Sequence, residues 1–321
     1  RRSLRDWKNS GVGGLIPFNV PYVPEISKRY ILEAIESSHQ QGDGPFTARA
    51  SKLVADLVGG GHVLLTPSCT HALEMASMLA NLGPGDEVIL PSYTFTSAAT
   101  AITKFGASPV FVDIEPDTLN INADLIKSKI TKNTKAIIPV SLYGQTADMD
   151  KINSIAKEYG NIPVIEDAAE ALGSSYKCKK CGTFGDYSIL SFNGNKIITT
   201  SGGGALVCNT EEQKKETIFY ATQARDNAPH YQHSKVGYNY RMSNISAGIG
   251  RGQMEVLDKH VGLRQKMNLF YKNIFKDISG VKVFQESNDD RVSNHWLSCI
   301  TIEEGSKITK QNLQKRMILK N

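Results

Sequence analysis

A chain of 321 residues that is 40% hydrophobic can bury a sizeable core, enough for one large domain and a smaller companion. Its net charge of +5 is spread thinly, with no dense Lys/Arg block of the kind that follows a nucleic-acid backbone, so nucleic acid is not implied as a partner. No apolar run approaches the ~18 residues needed to span a bilayer, and the opening Arg1-Arg2-Ser3-Leu4-Arg5-Asp6 lacks the apolar stretch of a signal peptide. A cytoplasmic protein with no membrane partner is therefore expected.

The five cysteines, Cys69, Cys178, Cys181, Cys208 and Cys299, are odd in number and scattered, which argues against a disulfide framework. Cys178 and Cys181 form a CxxC, but no second ligand pair follows at zinc spacing, so a plain loop pair and no metal site are expected.

From about residue 60 to 210, short apolar runs alternate with helical patterns. His62 to Thr66 reads as a strand before a helix at about 70–82, and Glu87 to Leu90 as a strand before a helix near 97–105. Val110 to Val112, Ala136 to Val140 and Pro163 to Ile165 repeat the strand pattern, with helices at about 122–130 and 148–159 between them. Ala205 to Val207 is followed by helices near 211–222 and 243–261, and Trp296 to Ile300 reads as a strand of a second, smaller domain. Met75, Met78 and Leu79 at helical spacing are assigned to the core, as is Trp296 in the small domain. Continuous apolar strands separated by helices predict an α/β fold with a mostly parallel sheet covered on both faces. In such sheets ligands sit beyond the carboxyl ends of the strands, so chemistry is sought there.

Three strand ends carry it. Thr66-Pro67-Ser68-Cys69-Thr70-His71 joins a strand to a helix start, where free N–H groups and the helix dipole suit a phosphate; Ser68 or Thr70 could equally be a plain cap. At Ile165-Glu166-Asp167-Ala168-Ala169-Glu170, the spacing of Asp167 and Glu170 matches a capping box, while a carboxylate so placed could also keep a pyridine nitrogen protonated. Ser191-Phe192-Asn193-Gly194-Asn195-Lys196 sets a hydroxyl five residues ahead of a lysine that could bond an aldehyde cofactor. A polar loop holds Arg225, His230, Tyr231 and His233, which could contact a sugar or be solvated, and they stay out of the catalytic set.

These segments, with Gly42 to Thr47, Pro91-Ser92-Tyr93-Thr94-Phe95 and Gly237-Tyr238-Asn239-Tyr240-Arg241-Met242-Ser243, resemble the DegT/DnrJ/EryC1/StrS family of sugar-nucleotide aminotransferases from about Ile16 to Met317. The resemblance implies an aspartate-aminotransferase-like (type I) fold and pyridoxal 5'-phosphate as cofactor. Lys196 would hold the cofactor and move the proton, Asp167 would pair with the pyridine nitrogen, and Phe95 would stack on the ring. Thr70, the backbone at His71, and Ser191 would hold the phosphate, and Glu170 would lie by the phenolic oxygen. Asn239 would reach the phosphate of a neighbouring subunit, which makes a homodimer with the active site at its interface.

The reaction so implied takes an amine from glutamate, leaves pyridoxamine phosphate, and passes the amine to a nucleotide-linked keto sugar. Ser191 to Thr200 with Gln223 to Asp226 resembles enzymes for UDP-linked 4-keto-6-deoxy-N-acetylhexosamine, and Leu64 to Asn122 those for dTDP-4-keto-6-deoxyhexose; the UDP sugar is favoured, for a surface polysaccharide, lipopolysaccharide or glycoprotein. A related sugar dehydratase has histidine where Lys196 stands, which disfavours dehydration. A silent family member acting as a binding protein would lack Lys196, Asp167 or the phosphate ligands, and all are present. The expected organisation is an N-terminal segment 1–30, a large domain 31–255 and a small domain 256–321. Arg1 to Gly14 departs from the family, and the end at Lys320-Asn321, where relatives continue, suggests a truncated small domain.

Overall fold

The computed structural model describes residues 20–284 and 290–320. Two helices, α1 (Glu25–Glu36) and α2 (Pro45–Val58), lead into β1 (His62–Thr66) and α3 (Cys69–Leu79). Then follow β2 (Glu87–Pro91), α4 (Ser97–Thr103), β3 (Ser108–Val112), the short α5 (Ala123–Ile126), β4 (Thr134–Ile137), α6 (Met149–Glu158) and β5 (Ile165–Asp167). A small hairpin of β6 (Ser175–Tyr176) and β7 (Lys179–Lys180) precedes β8 (Tyr187–Ser191), β9 (Gly204–Cys208), α7 (Glu211–Ala221), α8 (Asn244–Met254) and α9 (Leu257–Phe275). The last elements are β10 (Val281–Val283), β11 (Arg291–Val292), β12 (Ile300–Ile302) and α10 (Lys310–Lys320).

The strands run in the order β1-β9-β8-β5, and bridges from Val164 to Ile137 and from Asp167 to Val140 continue the sheet into β4, β2 and β3. Only β9 is antiparallel to its neighbours in this layer, so the sheet is mostly parallel as expected. Burial on both faces explains the unbroken apolar runs: every residue of β8 and β9 is buried. Successive side chains alternate between two cores. Leu65, Leu190, Ala205 and Val207 pack with Tyr30, Phe46 and Met242, while Ile189, Leu206 and Cys208 pack with Leu73, Met75 and Ile102. Met78 and Leu79 pack against the second of these cores, as their spacing implied.

The Gly42 to Thr47 stretch joins the first helices to α8. Gly44 has no side chain to cap α2, and Asn244 does so from α8, its Oδ1 accepting from Phe46 N at 2.9 Å and Thr47 N at 3.2 Å.

Several boundaries differ from the sequence expectation. The helix expected over 243–261 is two helices, broken at Val256, whose φ of −113° and ψ of 7° are not helical. Strand pairing at 136–140 stops early as a regular ladder because Pro139 has no N–H, although its carbonyl still accepts from Asp167 N at 2.9 Å. The strand expected at Trp296 to Ile300 begins only at Ile300. His295 takes a φ of 46°, and Trp296 turns back toward the large core. Lys177 and Cys178 form the tip of the β6-β7 hairpin with φ of 47° and 65°, and Cys181 is buried against Thr146 Oγ1 at 3.1 Å. Among the described residues no group of His, Cys, Asp and Glu could hold a metal. Among the described residues no helix is long and apolar enough to cross a membrane.

Candidate active site

A cleft of about 310 Å³ lies at the carboxyl ends of β5 and β8 and the start of α3, where the parallel sheet predicts a ligand. Ser68, Thr70, Phe95, Asp167, Glu170, Ser191 and Lys196 all line it, from four separate stretches of the chain.

Asp167 is 6% exposed at the end of β5, in the middle of the sheet. Burial pushes its carboxyl up from 3.8 to about 6, with Glu170 and Glu166 adding to the rise and the Ala169 amide and Lys196 opposing it. Its Oδ1 accepts from Ala169 N at 3.0 Å. No helix starts here, so the capping-box explanation of Asp167 and Glu170 does not hold; the bond is the local turn that an aspartate makes with its own backbone. Glu166, the neighbour on the opposite face, is fully buried and saturated by Gly182 N (2.8 Å), Phe184 N (2.7 Å) and Ser188 Oγ (2.8 Å). That carboxylate holds the fold together, and Asp167 is the one that reaches the cleft.

Lys196 Nζ stands 3.2 Å from Glu170 Oε1, and both side chains are largely shielded from water. Glu170 Oε2 accepts in turn from Tyr143 N at 2.7 Å, so one carboxylate ties the lysine to the loop after β4. Lys196 Nζ also lies 4.0 Å from the centre of the Trp296 ring, and Trp296 Nε1 donates to Asn195 O at 2.7 Å, beside the lysine.

At the start of α3 the hydroxyls divide their tasks. Ser68 is the cap, its Oγ accepting from His71 N at 3.2 Å, whereas Thr70 Oγ1 pairs with Ser97 Oγ at 3.0 Å across the cleft. Gly204 lies against this turn, and a Cβ there would stand 2.6 Å from Cys69 N. The Cys69 thiol is held well above its usual range by burial and by the Asp167 carboxylate, so it stays protonated.

His71 is not brought to the cleft: its N–H is engaged by Ser68, and its ring stacks on Tyr240 at 4.2 Å. Asn239 is exposed away from the cleft, between Tyr238 and Tyr240, whose rings stack at 4.8 Å. Phe95 lines the cleft but is 73% exposed. Arg225 lies over Tyr231 at 4.4 Å and His233 Nδ1 bonds Gln223 O at 2.9 Å, both outside the cleft.

Two residues that hold the site in place escaped the sequence reading, Tyr143 through its N–H to Glu170 and Trp296 in the cleft lining. Tyr143 follows the run Ala136 to Val140, the place where that reading looked for chemistry after the other strands, and it holds a left-handed φ of 55°. Trp296, assigned to the small-domain core, is 6% exposed and lines the cleft. Asn294 puts it there: Nδ2 donates to Glu170 O (2.8 Å) and Leu172 O (2.9 Å), and Oδ1 accepts from Trp296 N (2.8 Å). No sequence pattern signals a contact across more than a hundred residues.

A buried carboxylate at a central strand end, a shielded lysine, and hydroxyls at a helix start suit pyridoxal phosphate, and with this sheet they define a type I pyridoxal-phosphate-dependent aminotransferase. Known proteins agree. The chain belongs to the DegT/DnrJ/EryC1/StrS aminotransferase family, whose profile matches residues 24–321. It is 41% identical over 313 residues to EpsN of Bacillus subtilis, which carries the name of a pyridoxal phosphate-dependent aminotransferase; the match covers 94% of this chain and 80% of EpsN. It is 42% identical over 243 residues to the GDP-perosamine synthase of Caulobacter vibrioides, covering 76% of this chain and 65% of that one. Among solved structures, the aminotransferase TlmJ from Streptoalloteichus hindustanus superposes with a TM-score of 0.90 at 28% identity, covering 96% of this chain and 83% of TlmJ.

Proposed function

We propose that this enzyme moves an amino group from glutamate to the carbonyl of a nucleotide-linked 4-keto-6-deoxy sugar, with a UDP-linked N-acetylhexosamine favoured and a dTDP-linked hexose next. The observation that carries the reading is the convergence of Lys196, Glu170 and buried Asp167 on one cleft. Likeness to a GDP-perosamine synthase adds GDP sugars to those to be tested.

Bound pyridoxal phosphate supplies an electron-withdrawing ring that stabilises negative charge on the substrate carbon. Asp167 keeps the ring nitrogen protonated, at about 1.4 kcal/mol for each pH unit by which it raises that nitrogen. Thr70 and Ser191, with the backbone at the start of α3, hold the phosphate, and Phe95 covers the ring. Lys196 Nζ carries a proton to and from the substrate carbon, and Glu170 holds the amine in place between transfers. Asn239 completes the site of a second copy, so the working form is a homodimer. The amino sugar is made in the cytoplasm for a surface polysaccharide, lipopolysaccharide or glycoprotein.

The test is an absorbance spectrum with added pyridoxal phosphate, before and after glutamate, for the wild type and Lys196→Ala. A yellow band that bleaches with glutamate, is absent from the variant, and returns with a UDP-, dTDP- or GDP-linked keto sugar is expected. A wild-type band that glutamate leaves unchanged would sink the proposal.

A further inference from the structure

Lys196 borders a second, smaller cleft of about 150 Å³, formed where α9 and the end of α8 face the Ile197 to Thr199 segment and the chain before α1. Its polar lining comes from Tyr22, Lys196, Thr199, Gln253, His260 and Arg264, and no aspartate or glutamate among the described residues lines it. Arg264 is half-buried and makes no ion pair among the described residues. Burial alone pulls its guanidinium below the ordinary range, the mark of a cation that has lost water without gaining a partner.

The neighbouring groups do not fill that role. His260 Nδ1 lies 3.1 Å from Ile197 O, which can only accept, so Nδ1 carries the hydrogen and Nε2 remains. The Gln253 amide donates to Tyr22 O, and the Tyr22 ring meets His260 edge-on at 5.5 Å. Arg264 and His260 therefore border a space that suits one carboxylate or phosphate group and is too small for a whole nucleotide.

Both substrates of the proposed reaction are anions that must come within reach of Lys196, and an arginine fork is the group best shaped to hold either kind of anion. We infer that Arg264, with His260 beside it, anchors an anionic group of the substrate, the carboxylate of the amino donor or the diphosphate of the sugar nucleotide. The inference rests on the aminotransferase reading for its ligands, but its test does not need the cofactor reaction.

Pyrophosphate and glutarate, neither of which can react, are titrated calorimetrically into the wild type, Arg264→Gln and Arg264→Lys. Loss of about tenfold in affinity for one probe or both in Arg264→Gln, partly recovered in Arg264→Lys, is expected, the factor of one charge-assisted hydrogen bond. The probe affected identifies the source of the anion. In parallel, phenylglyoxal labelling of wild-type Arg264, mapped by mass spectrometry, should be suppressed by the same probe, which settles the matter if Arg264→Gln does not fold. Affinities within about twofold of wild type for both probes, or undiminished labelling, overturn the inference. A missing yellow band in the wild type would count against the aminotransferase reading alone.

Discussion

Replacing Asp167 by asparagine keeps the shape of the side chain and its acceptor for Ala169 N while removing an ionisable group from the middle of the sheet. Burial raises the folded-state value from 3.8 to about 6. The ionised carboxylate therefore opposes folding of the cofactor-free protein: the penalty is absent where both states are protonated, grows as pH rises past 3.8, and is complete above about 6. At 1.4 kcal/mol per pH unit the full penalty is about 3 kcal/mol, of which about half is already present at about pH 5. The Asn variant should then gain about 1–2 kcal/mol on the wild type between about pH 5 and about pH 8. Urea unfolding of both cofactor-free proteins at the two pH values measures it. A difference that does not change with pH, or that moves in favour of the wild type, would refute the reasoning. Pyridoxal phosphate should reverse the order, because only the wild type offers a charge to the ring nitrogen; weaker cofactor binding by Asp167→Asn, read from the yellow band, is the matching expectation.

Gly144→Ala should destabilise the protein by about 3 kcal/mol or more, because the position combines a left-handed φ with close approach. Its φ is +94° and a Cβ would stand 2.0 Å from Asn294 Oδ1. Thermal melting reports the loss, and a melting temperature equal to that of the wild type would show that Asn294 is not held where it anchors Trp296. Trp296→Ala should lower stability by about 3–5 kcal/mol, the range for emptying a buried aromatic site, and also weaken cofactor retention as Asn195 loses its partner. A fall in urea stability below about 1 kcal/mol would place Trp296 outside the core.

The chemistry of the cleft was legible because its signals are local. Apolar runs mark strands buried on both faces, and the residues that follow them are where a parallel sheet presents ligands, which is how Ser68, Asp167 and Lys196 could be found one strand at a time. Tyr143 follows the same rule, but its contribution is a backbone N–H and a left-handed turn that its residue type does not announce. Trp296 was misplaced because an aromatic beside a strand-like run reads as core, and it is core; its second face, toward Lys196, depends on two hydrogen bonds of Asn294 to distant backbone and one from the Trp296 N–H.

Periodicity, turn chemistry and strand-end residues, all local properties of the chain, determined by themselves a mostly parallel α/β layer and a lysine, a carboxylate and hydroxyls at its carboxyl edge. Only the tertiary structure decided which carboxylate serves the fold and which the cleft, since Glu166 and Asp167 differ by one position and the pleat sends them to opposite faces. It also decided that His71 turns away while Trp296 turns in, and that Arg264 stands unpaired beside Lys196 among the described residues. Those outcomes depend on which distant groups compete for each hydrogen bond and each buried surface, and that competition exists only once the chain has packed.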